Sequence, residues 1–294
     1  MSLYPSFARP RSLAQAAELL GSLSTGKIII AGGQEIMPSV NNGVLQPDVY
    51  VDIGSLAELR GINIDDDSGK LAIGALTVHR ELQQNTLVDQ HAPLLALSAK
   101  KAGGGRQVHN RGTIGGNVVA MHPLYDISPS LLALGAELEI LTGEDLIRRP
   151  LIEVMRDTGH GLGSDAILVR VLIKPMAAGA GYAYEKLKMS GGAYGSANAA
   201  AVLSMAGGKI SSLQLSVGAV AEQVIDASAA AAFLVGQSWS DDAEARLKTA
   251  VSGQVSQPLS DQQGAGEWRQ AMAGVVAARA CAAAVHQASK DGQN

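Results

Sequence analysis

Two glycine pairs, about eighty residues apart, are the part of this sequence best suited to chemistry. Glycine has no Cβ, so bare backbone approaches a ligand closely and consecutive N–H groups form one concavity for an anion. Two such loops facing one another suit a pyrophosphate, and neither has the lysine and hydroxyl of a P-loop. The pattern therefore predicts a dinucleotide site, formed by Ile30-Ala31-Gly32-Gly33-Gln34-Glu35 and Arg111-Gly112-Thr113-Ile114-Gly115-Gly116-Asn117.

Each glycine pair also has a purely structural interpretation. Gly32 and Gly33 suit a tight turn after an apolar run, and Gly115 and Gly116 suit a close crossing of a helix over a strand. Lys27, near the first pair, is either a source of positive potential for phosphates or a plain surface charge, and Arg106 and Arg111 are open to the same two interpretations. The sequence alone leaves these alternatives open.

No other group of residues forms a recognisable catalytic or metal-binding set. The six histidines are not spaced from one another, or from acidic residues, as metal ligands usually are. The Gly-x-Ser-x-Gly motif of serine hydrolases is absent. Cys281 is the only cysteine, which excludes an intramolecular disulfide and a cysteine-ligated iron–sulfur cluster within this chain.

Composition limits the class of protein. With 294 residues, 47% hydrophobic and 17% charged, the chain is long and apolar enough for a large core in two domains. A net charge of −4 and 3% aromatic residues argue against a nucleic-acid partner. The N-terminus has no apolar signal-peptide core, and the apolar stretch near Ala271–Ala278 is short for a membrane span. We therefore expect a cytoplasmic protein with no membrane span.

Hydrophobic periodicity predicts the elements that position these loops. Ser12 opens an amphipathic helix, and a short buried strand over Lys27–Ala31 ends in the first glycine pair. Residues 61–74 read as a hairpin, and Pro175–Gly181 as a linker. The other predicted strands are 49–53, 137–141, 167–173, 182–188, 199–205 and 213–220. The other predicted helices are 79–84, which Thr77 caps, 93–102 and 128–134. An alanine-rich series of helices then continues up to Ser289, with breaks at 238–240 and 253–264.

Several short motifs occur in one order: Ala31-Gly32-Gly33, Ile73-Gly74-Ala75-Leu76-Thr77, Asn110 to Asn117, Asp126, Asp165-Ala166-Ile167-Leu168, and Tyr184-Glu185-Lys186-Leu187-Lys188. In these motifs the chain resembles the FAD-binding medium subunits of molybdenum hydroxylases, the family of carbon monoxide dehydrogenase and xanthine dehydrogenase. The resemblance extends over essentially the whole length. It implies an α+β fold: a two-lobed FAD-binding domain in residues 1–176, with lobes of about 1–55 and 56–176, then a C-terminal domain in 177–294 with a three-stranded antiparallel sheet and helices.

The resemblance also assigns cofactor-binding roles. It implies that Ile30–Ile36 wraps the pyrophosphate through backbone N–H groups and that Thr113–Asn117 closes over it from the other side. Asp126 matches the aspartate that holds the sugar-like hydroxyls of the cofactor; alternatively it stabilises the start of the following helix. Thr77 and Ala75 match positions that line the flavin or its approach, although a helix cap would also explain Thr77.

Two further residues take their roles from the resemblance, and other positions depart from the family pattern. Leu168 matches a position at the wall of the isoalloxazine ring, and Lys186 matches a lysine near the cofactor; without the resemblance, the first would be plain core and the second solvated. Ser190 and Tyr194 stand where many members have arginine and aspartate. Tyr194 suits stacking on the flavin or a place in the core. Met121–Tyr125 replaces a stretch that is often smaller and more acidic.

The function that the resemblance implies is electron transfer, with the chemistry supplied by FAD and with no catalytic residue in this chain. The expected partners are a large subunit with the molybdenum cofactor and a small subunit with [2Fe-2S] clusters, assembled as a dimer of heterotrimers. The substrate and the final acceptor (oxygen, a quinone, a carrier protein or NAD) stay open. The alternatives are a free-standing FAD oxidoreductase that acts on a small substrate and a scaffold subunit without flavin.

Overall fold

A small parallel sheet opens the chain in the computed structural model, which describes residues 5–23, 26–158, 162–163 and 165–291. Its strands β1 (Ser6–Ala8), β2 (Lys27–Ile30) and β3 (Val49–Asp52) have the spatial order β1-β3-β2. Helices α1 (Leu13–Ser22) and α2 (Ile36–Asn41) connect them. Because β2 runs directly into Gly32 and Gly33, the first glycine pair lies at the carboxyl edge of a parallel sheet, where ligands of such sheets usually bind.

Helix α1 begins where the sequence predicts it. The hydroxyl of Ser12 accepts a hydrogen bond from the backbone N–H of Gln15 at 3.1 Å, which caps the helix. Ala16, Ala17 and Leu20 form its buried stripe. They pack with Val51 of β3, and also with Ile167 from a strand of the second sheet, so the first two sheets share one core.

The second sheet has five strands and is antiparallel throughout. The order is β4-β5-β8-β6-β7, with β4 (Ile62–Ile64), β5 (Leu71–Gly74), β6 (Glu137–Thr142), β7 (Asp145–Pro150) and β8 (Ala166–Ile173). The hairpin predicted over 61–74 is confirmed as β4 and β5. Strand β7 was not predicted, because its mostly exposed, charged residues lack the alternation of a half-buried strand.

Seven helices follow in and around this sheet, and one of them, α7, carries the second glycine pair. They are α3 (His79–Gln84), α4 (Thr86–His91), α5 (Pro93–Lys101), α6 (Gly105–Arg111), α7 (Ile114–Ala120), α8 (Ile127–Ala133) and α9 (Leu151–Thr158). Thr113 caps α7, since its hydroxyl accepts a hydrogen bond from the N–H of Gly116 at 3.1 Å. The predicted cap of α3 was wrong: Val78 holds that position, and its N–H donates to the carboxylate of Glu81.

A four-stranded antiparallel sheet follows. Strands β9 (Gly181–Leu187), β10 (Ala197–Ala206) and β11 (Lys209–Gly218) form the predicted three-stranded meander, and the two-residue strand β12 (Ile225–Asp226) extends it. Helices α10 (Ser228–Ala231), α11 (Asp241–Gln254) and α12 (Gly266–Asp291) complete the α+β fold. The predicted break at 238–240 lies between α10 and α11, and the one at 253–264 begins in the last two residues of α11 and otherwise lies between α11 and α12.

Helix α12 is the core helix of this last layer. Ala273, Val276, Ala280 and Ala284 are fully buried together with side chains of the C-terminal sheet. The segment Gly266–Lys290 is long and apolar enough to cross a membrane, but half of its apolar window is buried inside the protein. Core helices of soluble proteins have the same length and composition, so this helix is weak evidence for a membrane span.

Candidate functional site

A cleft of about 400 Å³ is lined by residues of both the first and the second sheet. Strand β2 and its glycine loop form one wall, whereas Ala166–Leu168 of β8 and the start of α7 form the other. Two turns add further residues to the lining of the cleft: Gly103–Gly104 and the turn before α8. Fourteen residues predicted from the sequence line this cleft: Ala31, Gly32, Gly33, Gln34, Glu35, Ile36, Ala75, Thr113, Gly115, Gly116, Asn117, Asp126, Leu168 and Tyr194.

Four other predicted residues are not part of the cleft lining. The side chain of Ile30 faces a neighbouring depression with Phe7 and Met37, because side chains alternate along a strand. Ile114 is fully buried in the core of the second sheet. Thr77 is buried, and Lys186 reaches the cleft only through its contact with Asp126.

Gly32 and Gly115 are required by packing between main-chain segments. A Cβ on Gly32 would overlap the carbonyl oxygen of Arg111, so the two glycine loops touch through their backbones. A Cβ on Gly115 would lie 2.7 Å from the carbonyl oxygen of Ala75, which already accepts a hydrogen bond from the N–H of Gly115 at 2.9 Å. The structural interpretation of these two glycines is therefore sufficient.

Gly116 differs, because little of the protein fills the space beside it. A Cβ on Gly116 would have one neighbour within 4 Å among the described residues, the hydroxyl of Thr113 at 3.0 Å. Gly33 has a φ of +72°, which glycine adopts without strain. The second loop thus leaves open space beside bare backbone in the cleft, as a phosphate group requires.

Three buried polar side chains near the second loop have no hydrogen-bond partner within the described part of the chain. They are the hydroxyl of Thr77, the amide oxygen of Asn117 and both ring nitrogens of His79. Burial, and to a lesser degree His109, lowers the pKa of His79 to about 4, so its ring is neutral at pH 7. Asn117 and His79 line the cleft, so polar groups are available there for a ligand.

Asp126 lies at the inner edge of the cleft and is only 3% exposed. Its carboxylate accepts hydrogen bonds from the hydroxyl of Tyr184 at 2.6 Å and from the N–H of Gly103 at 3.3 Å, and pairs with the ammonium group of Lys186 at 2.9 Å. Burial and the neighbouring carboxylate raise the pKa of Tyr184, which keeps the hydroxyl a donor. Although Asp126 precedes α8, its side chain makes no capping hydrogen bond.

Three aromatic side chains gather beside Asp126. The ring of His122 stacks on Tyr125 at 4.7 Å and on Tyr194 at 5.6 Å between centroids. Tyr194 lies in the turn between β9 and β10, is 43% exposed and lines the cleft, so its interpretation as a core strand residue was wrong. The hydroxyl of Tyr125 donates a hydrogen bond to the carboxylate of Glu35 across the cleft.

Lys27 joins the first sheet to the second at another part of the cleft. Its ammonium group donates to the carbonyl of Leu23 at 2.6 Å and pairs with the carboxylate of Asp165, and its side chain is 4% exposed. Its interpretation as a surface charge was therefore wrong. Gly103, Tyr125 and His79 line the cleft too, and no sequence pattern predicted them; the run of three glycines from Gly103 is the one local signal of that turn.

Comparisons with known proteins identify the family. A model described as the FAD-binding domain in molybdopterin dehydrogenase matches residues 4–175, and one for the C-terminal domain of the carbon monoxide dehydrogenase flavoprotein matches residues 182–284. The chain belongs to the FAD-binding medium subunits of the molybdenum hydroxylases. It is a flavoprotein subunit of an oxidoreductase, and its cofactor is FAD.

Individual relatives agree with this medium-subunit assignment. The carbon monoxide dehydrogenase medium chain of Hydrogenophaga pseudoflava is 31% identical over 283 residues, 94% of this chain and 95% of that one. The caffeine dehydrogenase subunit beta of a Pseudomonas species is 26% identical over 287 residues, 95% of this chain and 94% of that one.

Solved structures extend the similarity to the whole fold. Carbon monoxide dehydrogenase from Hydrogenophaga pseudoflava has a TM-score of 0.92 at 30% identity and covers 98% of this chain and 99% of that chain. Quinoline 2-oxidoreductase from Pseudomonas putida 86 has a TM-score of 0.87 at 27% identity and covers 98% and 99%. The predicted fold class is confirmed.

Proposed function

We propose that this medium subunit holds FAD in the cleft between the first two sheets and passes electrons from an iron–sulfur subunit to an external acceptor. The observation that carries the proposal is the open space beside Gly116, in a cleft that Gly32 and Gly33 also line. A dianionic pyrophosphate fits such a place because backbone N–H groups hold an anion without a cationic side chain.

Different residues around this space bind different parts of the cofactor. Backbone N–H groups of Ile30–Ile36 hold the pyrophosphate, and Thr113–Asn117 closes over it from the other side. Asp126, held by Tyr184 and Lys186, accepts from hydroxyl groups of the cofactor. Tyr194 offers an exposed aromatic face for the flavin, Ala75 and Leu168 line its approach, and Thr77 lies buried behind them. FAD supplies the redox chemistry, and the protein supplies position and electrostatics.

The partners follow from the same family. We infer a complex with a large subunit that carries the molybdenum cofactor and a small subunit that carries [2Fe-2S] clusters, arranged as a dimer of heterotrimers in the cytoplasm. A flavin suits the last electron transfer, from the iron–sulfur clusters to the external acceptor, because it accepts single electrons and releases them singly or in pairs. Residues 1–176 then act as the FAD-binding domain, with lobes of about 1–55 and 56–176, and 177–294 as a C-terminal domain over it.

An absorbance spectrum of the full chain, expressed alone and purified, tests the proposal, followed by release and identification of any cofactor. Released FAD supports it, and a colourless protein that does not take up added FAD contradicts it and favours a scaffold. The second step is anaerobic reduction of the complete complex with its substrate, where the flavin band should bleach after the iron–sulfur bands. Reduction of the isolated chain by a small substrate would instead indicate a free-standing oxidoreductase.

A further inference from the structure

The carboxylate of Glu35 occupies an unexpected place for a loop that receives phosphates. Glu35 directly precedes α2 and follows the glycine pair by two residues, and its side chain is half-buried in the cleft lining. A carboxylate at the start of a helix usually accepts from the first N–H groups of that helix. Glu35 makes no such capping hydrogen bond. Its carboxylate reaches across the cleft instead and accepts from the hydroxyl of Tyr125.

The segment that carries Tyr125 is held from two sides. The ring of His122 stacks on that of Tyr125, and the ring of Tyr194 in turn stacks on His122. The carbonyl oxygen of Pro123 accepts a hydrogen bond at 3.0 Å from the N–H of Ala219, whose own carbonyl accepts from the fully buried Arg269. Tyr125 is therefore a fixed donor, and its raised pKa, caused by burial and by Glu35, keeps it protonated.

We propose that Tyr125 is a positioning residue that holds the carboxylate of Glu35 away from the pyrophosphate of the cofactor. The inference rests on the proposed function, since it assumes that the loop with Gly32 and Gly33 receives the phosphates. An unrestrained carboxylate in that loop would repel a dianion, and the repulsion would be strong in a partly desolvated cleft. With Tyr125 as its partner, the carboxylate lies across the cleft and the backbone N–H groups stay free for the phosphates.

The test is a double-variant cycle on the full chain, with FAD removed and the dissociation constant for FAD then measured by quenching of flavin fluorescence. Y125F keeps the stacked ring and removes only the donor, so we expect FAD to bind about 10-fold more weakly at low ionic strength. The loss should shrink to less than about 3-fold in 0.5 M salt, because salt screens charge repulsion. Tyr182→Phe, a half-buried tyrosine of β9 outside the cleft lining, is the matched control and should bind FAD as the wild type does.

Removing the charge separates this role from simple packing. E35Q should bind FAD at least as tightly as the wild type, and E35Q/Y125F should recover to within about twofold of E35Q, because no carboxylate is left to repel the phosphates. Equal binding by Y125F and the wild type, or a double variant as weak as Y125F, overturns the inference. Failure of the wild type to bind FAD at all would overturn the proposed function instead, so the two failures are distinguishable.

Discussion

The carboxylate of Asp126 and the ammonium group of Lys186 form an ion pair at 2.9 Å, with side chains only 3% and 2% exposed. Asp126 precedes α8, whereas Lys186 lies on β9, so the pair joins the helices over the second sheet to the C-terminal sheet. The ammonium group also donates to the carbonyl of Lys101, and the carboxylate accepts from Tyr184. Buried ions are tolerated when further hydrogen bonds offset their desolvation, and both members of this pair make such bonds.

Loss of one partner of this pair should therefore be costly. We expect Lys186→Met to lower the free energy of unfolding by about 3 kcal/mol, because Asp126 would keep a buried charge with only neutral donors. Urea denaturation measures the change. Lys188→Met, two residues along the chain, removes only an exposed hydrogen bond to Gly191 and should cost less than about 0.5 kcal/mol. Equal losses in the two variants would contradict the structural role of the pair.

Gly116→Val tests the open space between the loops. Valine is no worse than glycine inside a helix, and a Cβ at this position would have only the hydroxyl of Thr113 within 4 Å among the described residues, so the protein should fold. The branched side chain would occupy the place of a phosphate, and FAD binding should weaken at least about 100-fold, equivalent to about 3 kcal/mol. Equilibrium titration with FAD measures this, and full flavin occupancy in the variant would defeat the assignment of the loop.

Gly32→Ala should act differently, although it adds a smaller side chain. Its Cβ would overlap the main chain of Arg111, so the loops must separate and the free energy of unfolding should fall by about 1 to 3 kcal/mol. Thermal unfolding of the chain without FAD shows this loss, which Gly116→Val should not share. A Gly32→Ala protein with wild-type stability would indicate that the two loops do not touch.

The neutral, buried ring of His79 should make stability depend on pH. Its pKa is about 4 in the folded chain against 6.5 for an ordinary histidine, so the unfolded chain takes up a proton first as the pH falls. The protein therefore has its full stability above pH 6.5 and loses part of it as the pH falls towards 4. Between pH 7.5 and pH 5, the free energy of unfolding should fall by about 2 kcal/mol. Denaturation midpoints at both pH values measure it. His79→Leu should flatten this dependence, and an unchanged slope would exclude His79 as its source.

Cys281 should be inert in the folded protein. The thiol is fully buried in α12, and burial raises its pKa to about 12, so little thiolate exists at pH 8. A disulfide reagent that releases a coloured thiolate should react with one equivalent in denaturant and negligibly in buffer. Rapid reaction of the native chain would show that α12 opens from the sheet.

Local patterns were sufficient for much of the fold. The strand before Gly32, the hairpin over 61–74 and the three long C-terminal strands follow from apolar runs, alternation and glycine turns. Strand β7 escaped prediction because an exposed edge strand buries too little to leave a pattern. The match of short motifs identified the family because their order, rather than any one of them, is specific.

The contacts inside the cleft were beyond local patterns. Asp126 and Lys186 are 60 residues apart, and Glu35 and Tyr125 are 90 apart, so no spacing rule connects them. Glycine identity was equally uninformative. Gly32 and Gly116 look alike in the sequence, yet the first faces main chain and the second faces open space.

The contact between Gly32 and Arg111 also determines which changes this region tolerates during evolution. Because the carbonyl of Arg111 makes the contact, while its side chain is exposed, the identity of residue 111 is free to drift. The lengths of the two loops are not, since an insertion or deletion in either would move one backbone off the other. Natural variants of this chain should therefore vary in side chains along these loops and keep their residue counts.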